Sequence, residues 1–197
     1  MADWDSLYET CKNCARCPLG EKRTNVVIGR GNRAADIIFI GEGPGYQEDQ
    51  QGLPFVGPAG QLLDKMLGSI DLSEEQVYIA NVVKCRPPGN RDPQPAEMQA
   101  CMDYLRYQLT LIKPKIIIAL GRIAGTVIIA GGENPFGGDF RITKHRGIWF
   151  ERKGFQIMAT YHPSALLRDE QKKRPAWEDF KSIKERYGKL DFAKEGE

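Results

Sequence analysis

Four of the five cysteines fall in an uneven pattern that suits metal ligation. Cys14 and Cys17 form a CxxC pair near the N-terminus, whereas Cys85 and Cys101 follow as single residues much further along. The first residues show no basic region followed by an apolar one, so we expect no secretory signal and a cytoplasmic location. In a reducing compartment, clustered cysteines bind metals more often than they form disulfides. The pattern therefore predicts a metal centre that joins two distant segments.

Two kinds of centre are compatible with four cysteines, a structural zinc ion and an iron–sulfur cluster. Zinc sites usually show two compact CxxC pairs, whereas this chain has one pair and two separated cysteines. The spacing favours an iron–sulfur cluster over zinc. Cys11 precedes Cys14 by three positions and could replace a ligand, and we treat it as the spare thiol.

A glycine-rich loop, GEGPG at residues 41–45, carries a glutamate that could act in a crevice. The loop fails as a dinucleotide fingerprint because Tyr46 stands where the third glycine belongs and Pro44 lacks an N–H group. Two interpretations stay open. The loop is either a tight strand-to-helix turn with an exposed glutamate, or a backbone that approaches a flat ligand closely with Glu42 aimed at that ligand.

His162, one of only two histidines, opens a second unusual segment with the sequence HPSALLR. Ser164 offers a hydrogen-bond donor for a phosphate, and Arg168 adds a positive charge. Apolar side chains beside a basic residue, as Leu166 is placed here, suit insertion into a DNA duplex with phosphate anchoring. The alternative is that the leucines pack under the following helix.

Four apolar, β-branched runs predict strands that are covered on both faces. They are residues 36–40, 77–83, 115–120 and 155–160. Helical patterns alternate with them at residues 4–14, 60–69, 96–112, 123–130 and 177–187. Such alternation predicts a three-layer α/β/α sandwich with a central, mostly parallel four-stranded sheet. Because ligands bind beyond the carboxyl ends of parallel strands, Glu42 and His162 are expected at one crevice.

The composition is that of a soluble globular protein, with 41% hydrophobic and 27% charged residues. We expect one domain over residues 1–197 with a frayed tail at 189–197. No apolar run approaches the ~20 residues of a membrane span. The net charge of +2 carries no information about nucleic-acid binding.

Six motifs in one order resemble the family 4 uracil-DNA glycosylases, the iron–sulfur members of the uracil glycosylase superfamily. These motifs are CxxCPL (14–19), GEGPG (41–45), LPFVGPAGQLL (53–63), NVVKCRPPGNRDP (81–93), Cys101 and HPSALLR (162–168). The resemblance implies hydrolysis of the N-glycosidic bond of deoxyuridine in DNA. We expect a monomer that acts on single- or double-stranded DNA, and no lyase activity, because nothing in the motifs resembles a lysine nucleophile placed to form a Schiff base. The resemblance also implies a [4Fe–4S] cluster on Cys14, Cys17, Cys85 and Cys101, with Cys11 excluded.

The resemblance further implies a uracil pocket. Phe55 would stack on the everted base, and Asn81 would pair with its N3–H and O4 edge. His162 would donate a hydrogen bond to O2, while Gly41 and Gly43 would line the site.

The resemblance implies that Leu166 fills the space left by the extruded base, and we expect Ser164 and Arg168 to contact DNA. The better-known branch of the superfamily has a water-activating aspartate where this chain has a glycine. The group that activates water therefore stays open between Glu42 and Asn90.

Overall fold

Six strands form one sheet in the computed structural model, which describes residues 3–129, 140–152 and 154–194. They are β1 (Arg30–Gly31), β2 (Ile37–Gly41), β3 (Val77–Asn81), β4 (Ile116–Leu120), β5 (Trp149–Arg152) and β6 (Phe155–Thr160). Their order across the sheet is β1-β3-β2-β4-β6-β5. The α/β class is confirmed, whereas the predicted number of four strands is wrong.

The four predicted strands lie at the centre of this sheet and run parallel to one another. β2, β3 and β4 are buried along their whole length, in agreement with their continuous apolar sequence. β1 and β5 join the two edges in antiparallel pairing. Both escaped prediction because β1 has only two residues and β5 is partly exposed, so neither produces an apolar run.

Nine helices are found in the described residues. They are α1 (Trp4–Lys12), α2 (Leu19–Lys22), α3 (Tyr46–Gln51), α4 (Pro58–Gly68), α5 (Pro95–Ile112), α6 (Gly121–Ile128), α7 (Ile142–His145), α8 (Pro163–Arg168) and α9 (Lys173–Lys194). Proline at the first helical position starts α4, α5 and α8, where its missing N–H costs no hydrogen bond. None of these helices combines the length and the apolar composition needed to cross a bilayer.

The predicted helices at 4–14, 60–69 and 96–112 correspond to α1, α4 and α5 within a few residues. The helix predicted for 123–130 corresponds to α6, although residue 130 lies outside the described residues. The surface helix predicted for 177–187 is the middle of α9, which continues to Lys194.

Two apolar clusters cover the two faces of the sheet and complete the three layers. Ile38 and Ile40 point into one cluster, which α1 and α5 cover through side chains such as Leu105. Ile37 and Phe39 point into the other cluster, which α4 and α9 cover. The alternation along β2 follows from the two-residue period of a strand. The carboxyl ends of the parallel strands therefore lie together along one end of the sheet, between the helical layers.

Candidate active site and cysteine cluster

Gly41 and Asn81 lie side by side at the ends of β2 and β3. A Cβ atom on Gly41 would lie 2.5 Å from Asn81 Oδ1 and 2.6 Å from Cζ of Phe55. Any side chain at position 41 would therefore occupy the space between the carboxamide and the aromatic ring. This is the physical reason for glycine at the end of β2, and it defines the floor of a candidate base pocket.

Phe55 is held in a left-handed backbone conformation, with φ of 55°, which is uncommon for a residue with a side chain. Helix α4 approaches so closely that a Cβ atom on Gly60 would lie 1.7 Å from the carbonyl oxygen of Phe55. Oε1 of Glu48 accepts hydrogen bonds from the N–H groups of Val56 (2.9 Å) and Gly57 (2.8 Å). These contacts stabilise a strained loop that places the ring over the pocket.

The carboxamide of Asn81 is buried, with 2% of the residue exposed. Its Oδ1 atom is buried without a hydrogen-bond partner within the described part of the chain. Buried acceptors are nearly always paired, because leaving one unpaired costs about 1–3 kcal/mol. An unpaired amide oxygen beside Gly41 and Phe55 is therefore prepared for an N–H donor from a ligand.

The imidazole of His162 lies next to Phe55, with ring centroids 5.5 Å apart and an angle of 30° between the planes. Its Nδ1 accepts a hydrogen bond from the backbone N–H of Ser164 (3.2 Å) and lies 2.8 Å from Oγ of that residue. A backbone N–H can only donate, so Nδ1 carries no proton and Nε2 carries it in the neutral ring. Burial, with Arg168 acting in the same direction, lowers the pKa of His162 to about 4. His162 is therefore a neutral donor through Nε2 at physiological pH.

Ser164 lies in α8 and its hydroxyl is within hydrogen-bond distance of the imidazole, so it positions His162. The contact of Ser164 with DNA stays a prediction.

Glu42 follows Gly41 directly and is partly buried at the same strand end. Burial, followed by the nearby negative charge of Asp92, raises the pKa of Glu42 to about 7, against the opposing effect of Arg122 and Arg168. A carboxyl group that titrates near neutral pH suits proton chemistry or charge stabilisation in a cleft.

Asn90, the other candidate for water activation, is exposed in the short 3₁₀ turn Pro88–Asn90. Its Oδ1 accepts a hydrogen bond of 2.7 Å from Nε of Arg86. Gly43 allows another close approach, since a Cβ atom there would lie 2.7 Å from Cγ2 of Val83. Glu42 lies next to Gly41 and is partly buried, whereas Asn90 is exposed, so we take Glu42 as the candidate for water activation.

Leu166 is not available for insertion into DNA in this structure, because only 2% of it is exposed. Its side chain packs with Tyr161 and Ala176 in a small apolar cluster beneath α8. The following residue, Leu167, is 50% exposed. Helix α8 turns Leu166 inward and Leu167 outward, so this structure does not present Leu166 to a ligand.

All five cysteines are free thiols, and together they line one cavity between α1, α5 and the loop after β3. The cavity holds about 300 Å³ of empty space, part of it open to solvent. Nη1 of Arg23 donates to Sγ of Cys85 (3.1 Å), and the backbone N–H of Lys84 donates to Sγ of Cys101 (3.3 Å). Cations and N–H groups directed at sulfur stabilise thiolates.

The structure contains, within its described residues, no group of three or more His, Cys, Asp or Glu side chains arranged to hold a single metal ion. The five thiols line one cavity together with Arg23, Lys84 and Tyr104. Cys11, treated as the spare thiol, is buried and lines the same cavity.

Lys84 is a functional candidate that the sequence analysis missed. Its side chain is buried, and Nζ donates to the carbonyl oxygen of Asn81 (2.7 Å) and to Oε1 of Gln108. A lysine enclosed between an apolar strand end and Cys85 was the only available signal.

Comparisons with known proteins agree with this geometry. A profile of the Uracil DNA glycosylase superfamily matches residues 28–181. A type-4 uracil-DNA glycosylase of Archaeoglobus fulgidus is 44% identical over 194 residues, which cover 96% of each chain. A type-4 uracil-DNA glycosylase of Thermotoga maritima is 46% identical over 166 residues, which cover 83% of this chain and 82% of that relative. A type-5 uracil-DNA glycosylase of Pyrobaculum aerophilum is 30% identical over 194 residues, with 83% of each chain covered.

The resemblance stated from the six motifs is thereby confirmed. The profile covers most of the chain, and the type-4 relatives match it over most of their own length at a higher identity than the type-5 relative. The chain therefore belongs to the uracil DNA glycosylase superfamily, and within it to the type-4 uracil-DNA glycosylases.

Proposed function

We propose that this protein is a monofunctional uracil-DNA glycosylase, which hydrolyses the N-glycosidic bond of deoxyuridine and leaves an abasic site for base excision repair. The observation that carries the proposal is the unpaired, buried Oδ1 of Asn81 beside the ring of Phe55 and the bare backbone of Gly41. A planar ligand with an N–H donor satisfies this arrangement, and uracil offers that donor at N3.

Recognition follows from the carboxamide of Asn81. Its Oδ1 accepts from uracil N3–H and its Nδ2 donates to O4, a pair of contacts that cytosine reverses. Phe55 stacks on the base, and the missing side chain at Gly41 leaves room for it. When the wrong base leaves the buried polar groups of a site without hydrogen-bond partners, the site discriminates strongly against that base.

Bond cleavage places negative charge on the departing uracil and positive charge on the sugar. The neutral His162 donates from Nε2 to uracil O2, and this hydrogen bond strengthens as charge develops on the base. Removing one such donor costs about 2.7–4 kcal/mol in comparable oxyanion sites. Glu42, once ionised, orients the attacking water or offsets the charge on the sugar.

The base has to leave the stack before it reaches this pocket, at a cost of a few kcal/mol. Leu167, exposed on α8, is placed to fill the gap that the base leaves, and the exposed Arg168 is placed to contact a phosphate. We expect the enzyme to act as a monomer in the cytoplasm on single- or double-stranded DNA.

The donor set around the thiol cavity fits a [4Fe–4S] cluster, with Cys14, Cys17, Cys85 and Cys101 as the ligands. When bound, the cluster would crosslink the N-terminal segment to the end of β3 and to α5. Since hydrolysis transfers no electrons, we assign it a structural role. Arg23 and Lys84 supply positive charge and hydrogen bonds to the ligating sulfurs.

A gel assay tests the activity directly. Labelled oligonucleotides with one uracil, single- and double-stranded, are incubated with the purified protein and treated with alkali, which cleaves only at abasic sites. Cleavage after alkali supports the proposal, and cleavage without alkali would reveal a lyase step. Protein that binds uracil-containing DNA but releases no uracil would instead be a damage-binding protein.

The two histidines provide a matched pair of variants. His162→Ala should lower kcat about 100-fold or more with little change in DNA affinity, because its hydrogen bond strengthens in the transition state. His145→Ala, on α7, should retain activity. Equal losses in turnover and in binding for His162→Ala would contradict the assigned role.

A brown protein with broad visible absorbance supports the cluster, and a colourless, zinc-containing preparation made without oxygen contradicts it.

A further inference from the structure

A second surface, which the proposed reaction does not use, is the groove between α1 and the residues that follow α3. We call it the α1 groove. It contains about 1390 Å³ of empty space, part of it open to solvent. Its lining includes Arg30 on the edge strand β1 and Tyr78 on the neighbouring strand β3. None of the described residues that line it is an aspartate or a glutamate.

One wall of the α1 groove is a stripe of three residues on α1. Trp4, Tyr8 and Lys12 follow each other at intervals of four and therefore share one helix face. The side chain of Tyr8 is exposed to solvent. The guanidinium of Arg33 lies 4.9 Å from the centre of a Trp4 ring. The wall thus combines aromatic faces with positive charge.

Two of the four cations in the α1 groove are free to meet a ligand. Arg30 is neutralised by ion pairs with Asp64 and Glu74, outside the lining. Arg23 is held by Sγ of Cys85 and by the backbone. The other two, Lys12 and Arg33, are exposed and form no ion pair within the described residues. The groove therefore carries positive charge that is not ion-paired within the described residues, close to the exposed Tyr8 of its aromatic wall.

The α1 groove ends beside the base pocket. Leu53 lines the groove and is exposed, and Phe55 of the pocket follows two residues later. Two residues span at most about 7 Å, and Nη2 of Arg30, which lines the groove, donates a hydrogen bond of 3.4 Å to the carbonyl oxygen of Phe55. A strand whose uracil lies on Phe55 can therefore continue past Leu53 into the groove.

We propose that the α1 groove binds the single-stranded flank of the uracil-bearing strand. A base stacks on Tyr8, and phosphates contact Lys12 and Arg33, whose guanidinium already lies over the ring of Trp4. Stacking on aromatic side chains combined with backbone phosphate contacts is how proteins hold single strands without sequence preference. This inference rests on the proposed function, and it makes the length of single strand beside the uracil a determinant of substrate affinity.

The test compares substrates in which uracil sits in a short single strand or in the same strand extended by about ten nucleotides, a typical single-strand site size, on the 5′ or the 3′ side. For the unchanged protein, one of the two extensions should lower KM about tenfold, as expected for one stacked base. Tyr8→Ala should abolish most of that gain with kcat unchanged. Lys12→Gln combined with Arg33→Gln should also reduce the slope of log KM against log salt by about 1.4.

The matched control is Lys65→Gln combined with Lys189→Gln, which removes two exposed lysines from the opposite helical layer. The control should keep the full gain from the extension. If the extension lowers KM equally in the groove variants and in the control, the proposal is wrong. The α1 groove would then bind another partner, such as an acidic protein segment. Unchanged KM for both extensions in the unchanged protein would overturn the proposal as well. Absence of turnover on the short strand would instead refute the proposed glycosylase function.

Discussion

The ionisation of Glu42 sets the pH dependence expected for uracil excision. Burial and Asp92 raise its pKa to about 7, and an ionised carboxylate is needed to orient water or to offset sugar charge. The carboxylate is about one tenth ionised at pH 6 and about nine tenths ionised at pH 8. The value of kcat/KM should therefore fall about tenfold from pH 8 to pH 6. His162 does not contribute, because its lowered pKa of about 4 keeps it neutral throughout this range.

Three variants separate Glu42 from other titrating groups. Glu42→Gln should lower kcat/KM at pH 8 and remove the inflection near pH 7. Asp92→Asn removes a charge that raises the pKa of Glu42 and releases Arg122 from its ion pair, so the inflection should move to lower pH. Arg122→Gln removes a charge that lowers that pKa, so the inflection should move to higher pH. Both shifts should shrink at high salt, because the side chains of Asp92 and Arg122 are exposed.

The assay measures kcat/KM on a single-stranded uracil oligonucleotide from pH 5 to pH 9 at constant ionic strength, because kcat/KM reports the groups of the free enzyme. An inflection near pH 7 that persists in Glu42→Gln would assign the titration to another group. A flat profile between pH 6 and pH 8 in the unchanged protein would show that ionised Glu42 is not required. Shifts in the same direction for Asp92→Asn and Arg122→Gln would contradict the electrostatic explanation.

Three further predictions follow from individual contacts. Asn81→Asp should lower excision of uracil about 100-fold and produce measurable excision of cytosine, because a carboxylate accepts where the amide donates; paired uracil and cytosine oligonucleotides measure both. Leu167→Ala should weaken binding to uracil-containing duplex several-fold and leave single strands unaffected, whereas Leu166→Ala should instead cost about 2–5 kcal/mol in the free energy of unfolding. Lys84→Met leaves the Asn81 carbonyl without its donor and should lower kcat/KM about tenfold at unchanged visible absorbance per protein. An unchanged base preference of Asn81→Asp would contradict the contact between Asn81 and the base. Weaker duplex binding in Leu166→Ala but not in Leu167→Ala would contradict the role of Leu167. Normal turnover of Lys84→Met would contradict the role of its hydrogen bond to Asn81.

The central sheet could be predicted because its parallel strands are buried on both faces and therefore have continuous apolar sequence. The edge strands could not, since β1 is two residues long and both edge strands pair on one side only. The start of α9 was placed too late because Pro175 lies near its beginning, where proline is tolerated. The local sequence pattern thus predicted the elements that carry many buried residues. It missed the short elements whose formation depends on pairing with a neighbouring strand.

At the site, the sequence order of the motifs identified the glycine, aromatic, amide and imidazole positions that the fold brings together. It did not separate Leu166 from Leu167, because the segment was interpreted as a loop, whereas Pro163 starts a short helix. It also did not reveal the role of Ser164, whose contact with His162 depends on the capping geometry of that helix. Side-chain direction within a short helix is set by tertiary packing, which a single sequence does not contain.

The cysteine cluster and the base pocket are joined through one short stretch of chain after β3. Asn81 presents its carboxamide to the pocket, and its carbonyl oxygen accepts a hydrogen bond from the buried ammonium of Lys84. The backbone N–H of Lys84 donates to Sγ of Cys101, and the next residue, Cys85, accepts from Arg23. A displacement of these sulfurs would therefore act on the segment that carries the Asn81 carboxamide. If that amide binds the base as proposed, the cysteines influence recognition through position alone, without electron transfer.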